Sequence, residues 1–178
     1  MDEFNLSDLQ GGLLQSAFVL SYIVCAPLVG YLGDRYSRKA IMAIGVSIWA
    51  LVTLGGTFMT QFSWFMVFRC LGGIGEASYS AIGPAIISDL FRGDTRSKFL
   101  AAFYFTTPVG GGLGFIASSG MAEFTGEWRW GLRVAPIAAL VAVLLVIFVL
   151  QDPPRGASEG AHMTSTSWSE DMNYIVRK

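Results

Sequence analysis

The sequence predicts an all-α integral membrane protein with about five transmembrane helices, and three observations support this. Apolar residues make up 53% of the 178-residue chain and charged residues only 14%, whereas an average soluble domain is about 25% charged. Five apolar runs each approach the roughly 20 residues that a helix needs to span a bilayer. Basic residues gather in the loops that follow the first, third and fifth of these runs, which is the pattern that orients membrane helices.

The predicted transmembrane bundle covers residues 1–150 and is followed by a polar segment. The connections between the runs are short, and the fifth run is the most apolar, because 134–150 contains no charged or polar side chain. We predict transmembrane helices over 11–32, 40–59, 64–87, 99–121 and 131–150. Pro153 and Pro154 end the last helix. We expect 151–178 to be a largely disordered loop with an amphipathic surface helix over 168–178.

The distribution of basic residues also predicts the orientation of the bundle. The loops 60–63 and 122–130 hold a single base, Arg129, whereas the opposite loops are rich in bases. By the positive-inside rule the basic loops are cytoplasmic, so the N-terminus is outside or lumenal and the C-terminus is cytoplasmic. Asn5 begins a glycosylation sequon on the outer side. The bases of the predicted cytoplasmic side are Arg35, Arg38, Lys39, Arg92, Arg96, Lys98, Arg155, Arg177 and Lys178.

Composition argues against several other classes of protein. The net charge of −1 provides no basic field for nucleic acid. The single histidine, His162, lies in the polar tail, and Cys25 and Cys70 lie inside apolar runs, where cysteine behaves as a small hydrophobe. We therefore expect no metal site, no cofactor and no enzymatic activity.

The third predicted helix carries two charges within its apolar span, Arg69 and Glu76. They are seven residues apart and so share one helix face, about 10 Å from each other. Ionisable residues inside a membrane helix are costly and are usually functional or paired. One interpretation is a cavity face on which Arg69 binds an anionic headgroup and Glu76 carries a proton or pairs with a cation, with Tyr79 on the same face. The other is an ion pair with a neighbouring helix that stabilises packing.

A turn at residues 30–39 separates the first two predicted helices and packs one acid among three bases. Its glycines allow close helix packing and a tight exit from the bilayer. The acid, Asp34, can pair with Arg38 or face the N-terminus of a neighbouring helix. The simpler alternative is a basic loop that only sets orientation. The candidate residues of the turn are Gly30, Gly33, Asp34, Arg35 and Arg38.

The fourth predicted helix contains a proline and four glycines between Pro108 and Gly114. These residues permit a kink and the close approach of another helix. Gly110 and Gly114 have the four-residue spacing of a small-residue packing pair. Close packing alone explains most of this stretch, and we predict a packing or kink role for these three residues.

The turn at 30–39 resembles the signature loop of the major facilitator superfamily of transporters. It matches at Gly30, Leu32, Gly33, Asp34, Arg35, Arg38 and Lys39, and departs at Ser37, where the family usually has glycine. Further stretches look like one branch of that superfamily, the Spinster-type transporters, and Gly-Glu-Ala-Ser-Tyr-Ser at 75–80 is the most specific of them. The other similar stretches are 26–36, 103–105, 108–110, 130–134 and 152–156.

The resemblance implies a twelve-helix lipid transporter built from two six-helix halves, of which this chain matches helices two to six. Members of this branch move lysophospholipids or sphingoid lipids, some with proton coupling at the lysosomal or late endosomal membrane and others at the plasma membrane. Arg69 and Glu76 would be the headgroup and coupling residues. In the superfamily, an acid at the position of Asp89 often pairs with the signature-loop arginine, here Arg38. The alternative is that both are solvated loop charges.

The chain is shorter than the transporters of that family. Their alternating access needs two halves around a central site, and this chain matches part of one half. We expect an incomplete fragment of a transporter that cannot transport alone, and whose partners are lipid, protons, the bilayer and the remaining helices. Two other functions stay open. One is exchange of small organic anions or drugs, because the stretch at 108–114 also resembles the glycine-proline motif that exchangers of the superfamily carry. The other is a non-transporting membrane subunit that regulates a full-length relative.

Overall fold

The computed structural model of the protein describes residues 7–152, and this part of the chain is helical throughout and contains no strand. The all-α prediction is therefore confirmed. Asn5 of the sequon and the tail from 153 onward, with its expected helix at 168–178, lie outside the described residues. The five helices are α1 (Asp8–Gly33), α2 (Arg38–Gly56), α3 (Phe62–Leu90), α4 (Gly93–Thr125) and α5 (Trp128–Val149).

Helix α3 lies at the centre of the bundle, packed mainly against α1 and α2 and less extensively against α4, while α5 packs against α2 and α4. The buried face of α3 is made chiefly of small residues. At Gly75, a Cβ atom would lie 2.7 Å from Trp49 Cβ and 2.8 Å from the carbonyl oxygen of Gly45. Small residues thus allow the backbones of α2 and α3 to cross closely, as in membrane helix pairs.

Four of the five helices, α1, α2, α4 and α5, are long and apolar enough to cross a membrane. The exception is α3, whose mean hydropathy is lowered by Arg69, Glu76 and its many glycine and serine residues. At 29 residues, α3 is still about 44 Å long. The span at 64–87 remains a prediction, and its central position among the four apolar helices supports it.

Several helix ends differ from the predicted spans. The second span was predicted to reach residue 59, but α2 ends at Gly56, because the amides of Phe58 and Met59 donate to carbonyls three residues back at 3.1 Å in a tighter turn. Helix α4 begins six residues before its predicted start, because its first turns are charged yet still helical. It ends at Thr125 and is capped by Gly126, whose φ of 72° is the left-handed conformation that closes many helices.

Contacts between helix termini show which loops share an end of the bundle. Arg38 at the start of α2 pairs with Asp89 near the end of α3, and Asp152 after α5 contacts Ser37. The loops after α1, α3 and α5 therefore lie together. At the opposite end, Arg133 Nε of α5 donates to Thr57 Oγ1, at the C-terminus of α2, at 3.2 Å. The topology prediction requires that these loops lie at one end of the bundle.

Candidate functional site

A cavity of about 370 Å³ lies between α1, α2, α3 and α5. This volume is within the range of small-molecule sites in proteins. Two of the sequence-predicted residues, Arg69 and Glu76, line it from α3. Both side chains are half-buried, and they stand two helical turns apart, about 10 Å along the axis. The cavity therefore has a cationic group and an anionic group at separate positions along one wall.

The guanidinium of Arg69 lies against an aromatic ring of α1. Its Cζ atom is 5.5 Å from the centroid of the Phe18 ring, within the range of a cation–π contact. Gly72 lies on the next turn of α3 and faces the same ring, and a Cβ atom there would make an ordinary van der Waals contact with it at 3.6 Å. Phe18 therefore lies against α3 beside both Arg69 and Gly72.

The carboxylate of Glu76 is held from its own helix. The hydroxyl of Tyr79 donates to Glu76 Oε1 at 3.0 Å, three residues and nearly one turn away. This hydrogen bond restricts the carboxylate of a residue that lines the cavity. Of the three residues predicted for substrate binding and coupling, Arg69 and Glu76 line the cavity, whereas Tyr79 is linked to it through its hydrogen bond to Glu76.

The rest of the cavity wall combines aromatic surface with a few polar groups. Phe18, Trp49, Phe65 and Phe68 provide the aromatic surface, and Gln15 and Thr53 add uncharged hydrogen-bonding groups. A cavity of this composition can hold a molecule that has both an ionic group and an apolar part.

A second group of predicted residues lies at the turn between α1 and α2. Arg38 is buried, at 8% exposure, and makes an ion pair with Asp89, a 3.5 Å contact to Asp34 and a hydrogen bond from Nε to the carbonyl of Gly33 at 3.2 Å. It therefore connects α1, α2 and α3 at one end of the bundle. Arg35 points elsewhere, with its Cζ atom 4.5 Å from the ring centroid of Tyr31.

The two glycines of this turn have different surroundings. Gly33 is buried against the side chain of Ile82, so that a Cβ atom there would collide with it. Gly30 has open space where a Cβ atom would be. Close packing within this chain therefore explains glycine at position 33 but not at position 30.

Ser37 and Asp152 form a contact at this turn that the sequence did not reveal. Ser37 Oγ caps α2 by accepting from the amide of Ala40 at 3.2 Å and donates to Asp152 Oδ2 at 2.5 Å. The other oxygen of Asp152 accepts from the backbone amide of Lys39 at 2.9 Å. A serine at the usual glycine position thus supplies a helix cap, and the residue after α5 is bound to the start of α2.

The two predicted packing glycines of α4 have no close neighbour in the described part of the chain. Pro108 lies inside a continuous helix, and Cβ atoms at Gly110 and Gly114 would have nothing within 4 Å. No residue of α4, all of which is described, is buried. A packing role for these glycines therefore stays a prediction that needs a partner other than the described helices.

The cavity group and the turn group are separate sites. Glu76 and Asp89 are 13 residues apart on α3, which corresponds to about 20 Å along the helix. The described residues 7–152 contain no group of three or more side chains that could hold a metal ion. Of the cavity residues that sequence analysis missed, Gln15 carried a usable signal, because an amide inside an apolar run is unusual. Phe18 and Trp49 carried none, since aromatic residues are common throughout these runs.

Comparison with known proteins places these features in a family. The family model described as Major Facilitator Superfamily matches residues 1–178. The chain is 55% identical over 177 residues to the protein spinster of Drosophila melanogaster, covering 99% of this chain and 29% of that protein. It is 48% identical over 180 residues to the human protein spinster homolog 1, covering 98% of this chain and 34% of the relative. The chain thus spans about a third of the length of these relatives.

Among solved structures, the chain is similar to two crystal structures of a bacterial homolog to the human lysosomal transporter Spinster, both inward-facing. The unoccupied form has a TM-score of 0.76 at 23% identity and covers 98% of this chain and 43% of that one. The occupied form has a TM-score of 0.73 at 24% identity, with coverages of 88% and 39%. These likenesses show the fold, and with the apolar helices they indicate an integral membrane protein.

Proposed function

Since this chain belongs to the major facilitator superfamily, we propose that it is part of a Spinster-like transporter that moves a lysophospholipid or a sphingoid lipid by alternating access. The observation that carries the proposal is the cavity in which Arg69 and Glu76 meet an aromatic wall. A guanidinium binds a phosphate group through paired hydrogen bonds, and the aromatic side chains offer apolar surface to an acyl or sphingoid chain. A single-chain phospholipid has both parts.

Glu76 is the proposed site of proton coupling. A carboxylate within a membrane helix is expensive to keep charged, so its protonation follows the opening of the cavity to water. The Tyr79 hydroxyl donates to Glu76 Oε1 at 3.0 Å and so restricts the position of the carboxyl group beside the cavity. Binding of an anionic headgroup at Arg69 would add negative charge to the same cavity, about 10 Å along α3 from Glu76.

Alternating access requires two helical bundles that rock around a central site. The chain spans 29–36% of the curated relatives that it matches, so we propose that transport takes place in a protein that contains this segment together with further helices. In that protein the turn at 30–39, anchored through Arg38 and Asp89, acts in conformational gating. The present chain alone is expected to bind lipid without moving it.

The proposed location is a lysosomal or late endosomal membrane, or the plasma membrane, with the N-terminus outside or lumenal and the C-terminus cytoplasmic. The bacterial protein of the solved structures is described as a homolog to a human lysosomal transporter. This favours the lysosomal or late endosomal membrane. The clustering of the loops after α1, α3 and α5 at one end supports the orientation. Protease protection of terminal tags in sealed vesicles tests it.

A binding experiment on the purified chain tests the function. Lysophosphatidylcholine and sphingosine phosphate are titrated against the chain in detergent, with a soluble dicarboxylate as comparison. We expect Arg69→Ala to weaken lipid binding about tenfold, the value of one charge-assisted hydrogen-bonded contact. Glu76→Gln is expected to retain binding and remove its pH dependence. Lys98→Gln, which removes one exposed charge outside the cavity, is the matched control and should change neither.

Other results would favour the alternatives. Tighter binding of the dicarboxylate than of lipid, lost in Arg69→Ala, would replace the lipid proposal by anion exchange. Binding of neither ligand, together with specific co-purification of a full-length relative, would replace it by a regulatory subunit. If lipid binds equally to the Arg69→Ala variant and the parent chain, the cavity is not the site.

A further inference from the structure

Two arginines one turn apart, Arg129 and Arg133, lie at the start of α5 against the C-terminal end of α2. Arg133 Nε donates to Thr57 Oγ1 at 3.2 Å, and Thr57 is only 1% exposed. The Arg133 guanidinium also contacts two aromatic rings, with its Cζ atom 4.7 Å from the centroid of Phe58 and 4.6 Å from that of Trp130. A hydroxyl and two rings therefore hold this charge in a defined position.

Most of the hydrogen-bonding capacity of Arg133 remains unused. A guanidinium has five N–H donors, and the four on the two Nη atoms make no hydrogen bond to any residue in the described range 7–152. No acidic side chain in that range forms an ion pair with Arg133 either. Aromatic contacts stabilise the cation but do not neutralise it. An ordered guanidinium with a free pair of parallel donors is suited to bind an oxyanion in a bidentate way.

The position of the cluster restricts the kind of anion. Arg133 lies five residues after Trp128, the first residue of α5, which is about 8 Å along the axis. From Val134 onward the helix is entirely apolar to its end at Val149. Trp128 and Trp130, which are 40% and 43% exposed, are the ring type that favours the membrane–water interface. In a membrane-spanning α5, the arginines stand at the depth of lipid phosphate groups.

We propose that Arg133, with Arg129 as a second cation, forms a phosphate-binding site at this membrane boundary, separate from the Arg69 and Glu76 cavity. Arg129 supports the site because its Cζ atom lies 5.2 Å from the Trp128 ring centroid and its Nη2 donates to the carbonyl of Met59 at 3.4 Å. Both arginines are thereby oriented from the same two helix ends. The ligand is a phosphate oxyanion, carried by a phospholipid headgroup or free in solution. This inference does not depend on transport.

The experiment uses the purified full chain and native mass spectrometry. Phosphatidic acid and diacylglycerol with identical acyl chains are compared, since they differ only in the phosphate, and inorganic phosphate is the third ligand. We expect phosphatidic acid to be retained and diacylglycerol not. Arg133→Gln should weaken retention about tenfold and Arg133→Lys less, because lysine keeps the charge but loses the paired donors. Displacement of the lipid by millimolar inorganic phosphate would identify the same site as open to the free anion.

Two further variants separate binding from the structural contact between α2 and α5. Thr57→Val removes the acceptor of Nε but leaves the Nη donors and both aromatic contacts of Arg133, so lipid retention should fall less than in Arg133→Gln, while the melting temperature falls. Arg92→Gln removes an exposed arginine at the opposite end of the bundle and should leave retention unchanged. Should Arg133→Gln fail to fold, Arg133→Lys carries the test. Equal retention of phosphatidic acid and diacylglycerol, or retention unaffected by both Arg133 variants, overturns the proposal.

Discussion

Helices α3 and α4 contain the same unusual ingredients, several glycines and an internal proline, yet their surroundings are opposite. Eight residues of α3 are buried, four of them glycine, whereas none of the 33 residues of α4 is buried. Cβ atoms at Gly73, Gly75 and Gly83 of α3 would collide with neighbouring helices, but those at Gly110, Gly112 and Gly114 of α4 would meet nothing within 4 Å.

This difference teaches how to interpret glycine in a membrane helix. In α3 glycine allows two backbones to approach, and the helix can therefore lie between α1, α2 and α4 while presenting Arg69 and Glu76 to a cavity. In α4 the same residue type leaves a smooth, exposed surface flanked by large apolar side chains, including Phe105 at 68% exposure and Phe115 at 74%. Three comparisons of paired variants test this contrast, and all are measured as free energies of unfolding in mixed micelles.

The largest effect is expected from the charge that attaches α3 to α2. Asp89→Asn removes the less exposed of the two carboxylates that Arg38 contacts, and leaves this buried cation, 9% exposed, with only the largely exposed Asp34. Breaking such a pair costs about 3 kcal/mol. The control in α4 is Asp94→Asn, which removes an exposed acid from the first helical turn and should cost at most about 1 kcal/mol. Equal losses of unfolding free energy in the two variants would show that the Arg38–Asp89 pair contributes no more to stability than an exposed acid does.

A methyl group added to each helix should have opposite consequences. Gly75→Ala places a Cβ atom 2.7 to 2.8 Å from atoms of Trp49 and Gly45, which forces backbone shifts that cost about 2 kcal/mol. Gly112→Ala adds the same group in open space, where it should be neutral or should stabilise the helix by up to about 1 kcal/mol. A clear loss in Gly112→Ala would mean that α4 is packed against something beyond the five described helices.

The smallest expected difference concerns two hydroxyls that bond to their own helix. Ser78 Oγ is buried and donates to the carbonyl of Gly75 at 2.6 Å, and exposed Thr106 Oγ1 donates to that of Phe103 at the same distance. Ser78→Ala loses this bond and leaves a gap beside Gly45, at a cost of about 1 kcal/mol. Thr106→Val keeps the side-chain shape in an exposed position and should change stability by less than about 0.5 kcal/mol. The reverse order would contradict the assignment of α3 as the packed helix.

The fold class and the cavity charges were accessible from the sequence because each depends on local chemistry. Apolar runs of membrane length and a helical spacing of seven between Arg69 and Glu76 need no knowledge of neighbours. The helix ends were less accessible, since the charged start of α4 and the tight turn at 57–59 depend on backbone hydrogen bonds that hydropathy does not report. The Asp152 contact with Ser37 joins positions 115 residues apart, and no local pattern encodes it.

The sequence by itself determined that this is a helical membrane protein, which loops are basic and which helix carries the charges within its apolar span, because the cost of placing polar groups in a bilayer acts residue by residue. Only the tertiary structure decided which aromatic side chains form the cavity wall, that Gly75 is packed while Gly112 is open, and that Arg133 lies between Phe58 and Trp130. These properties depend on the distances between separate helices. Such distances follow from how small and large side chains fit together, and a hydropathy pattern contains no information about that fit.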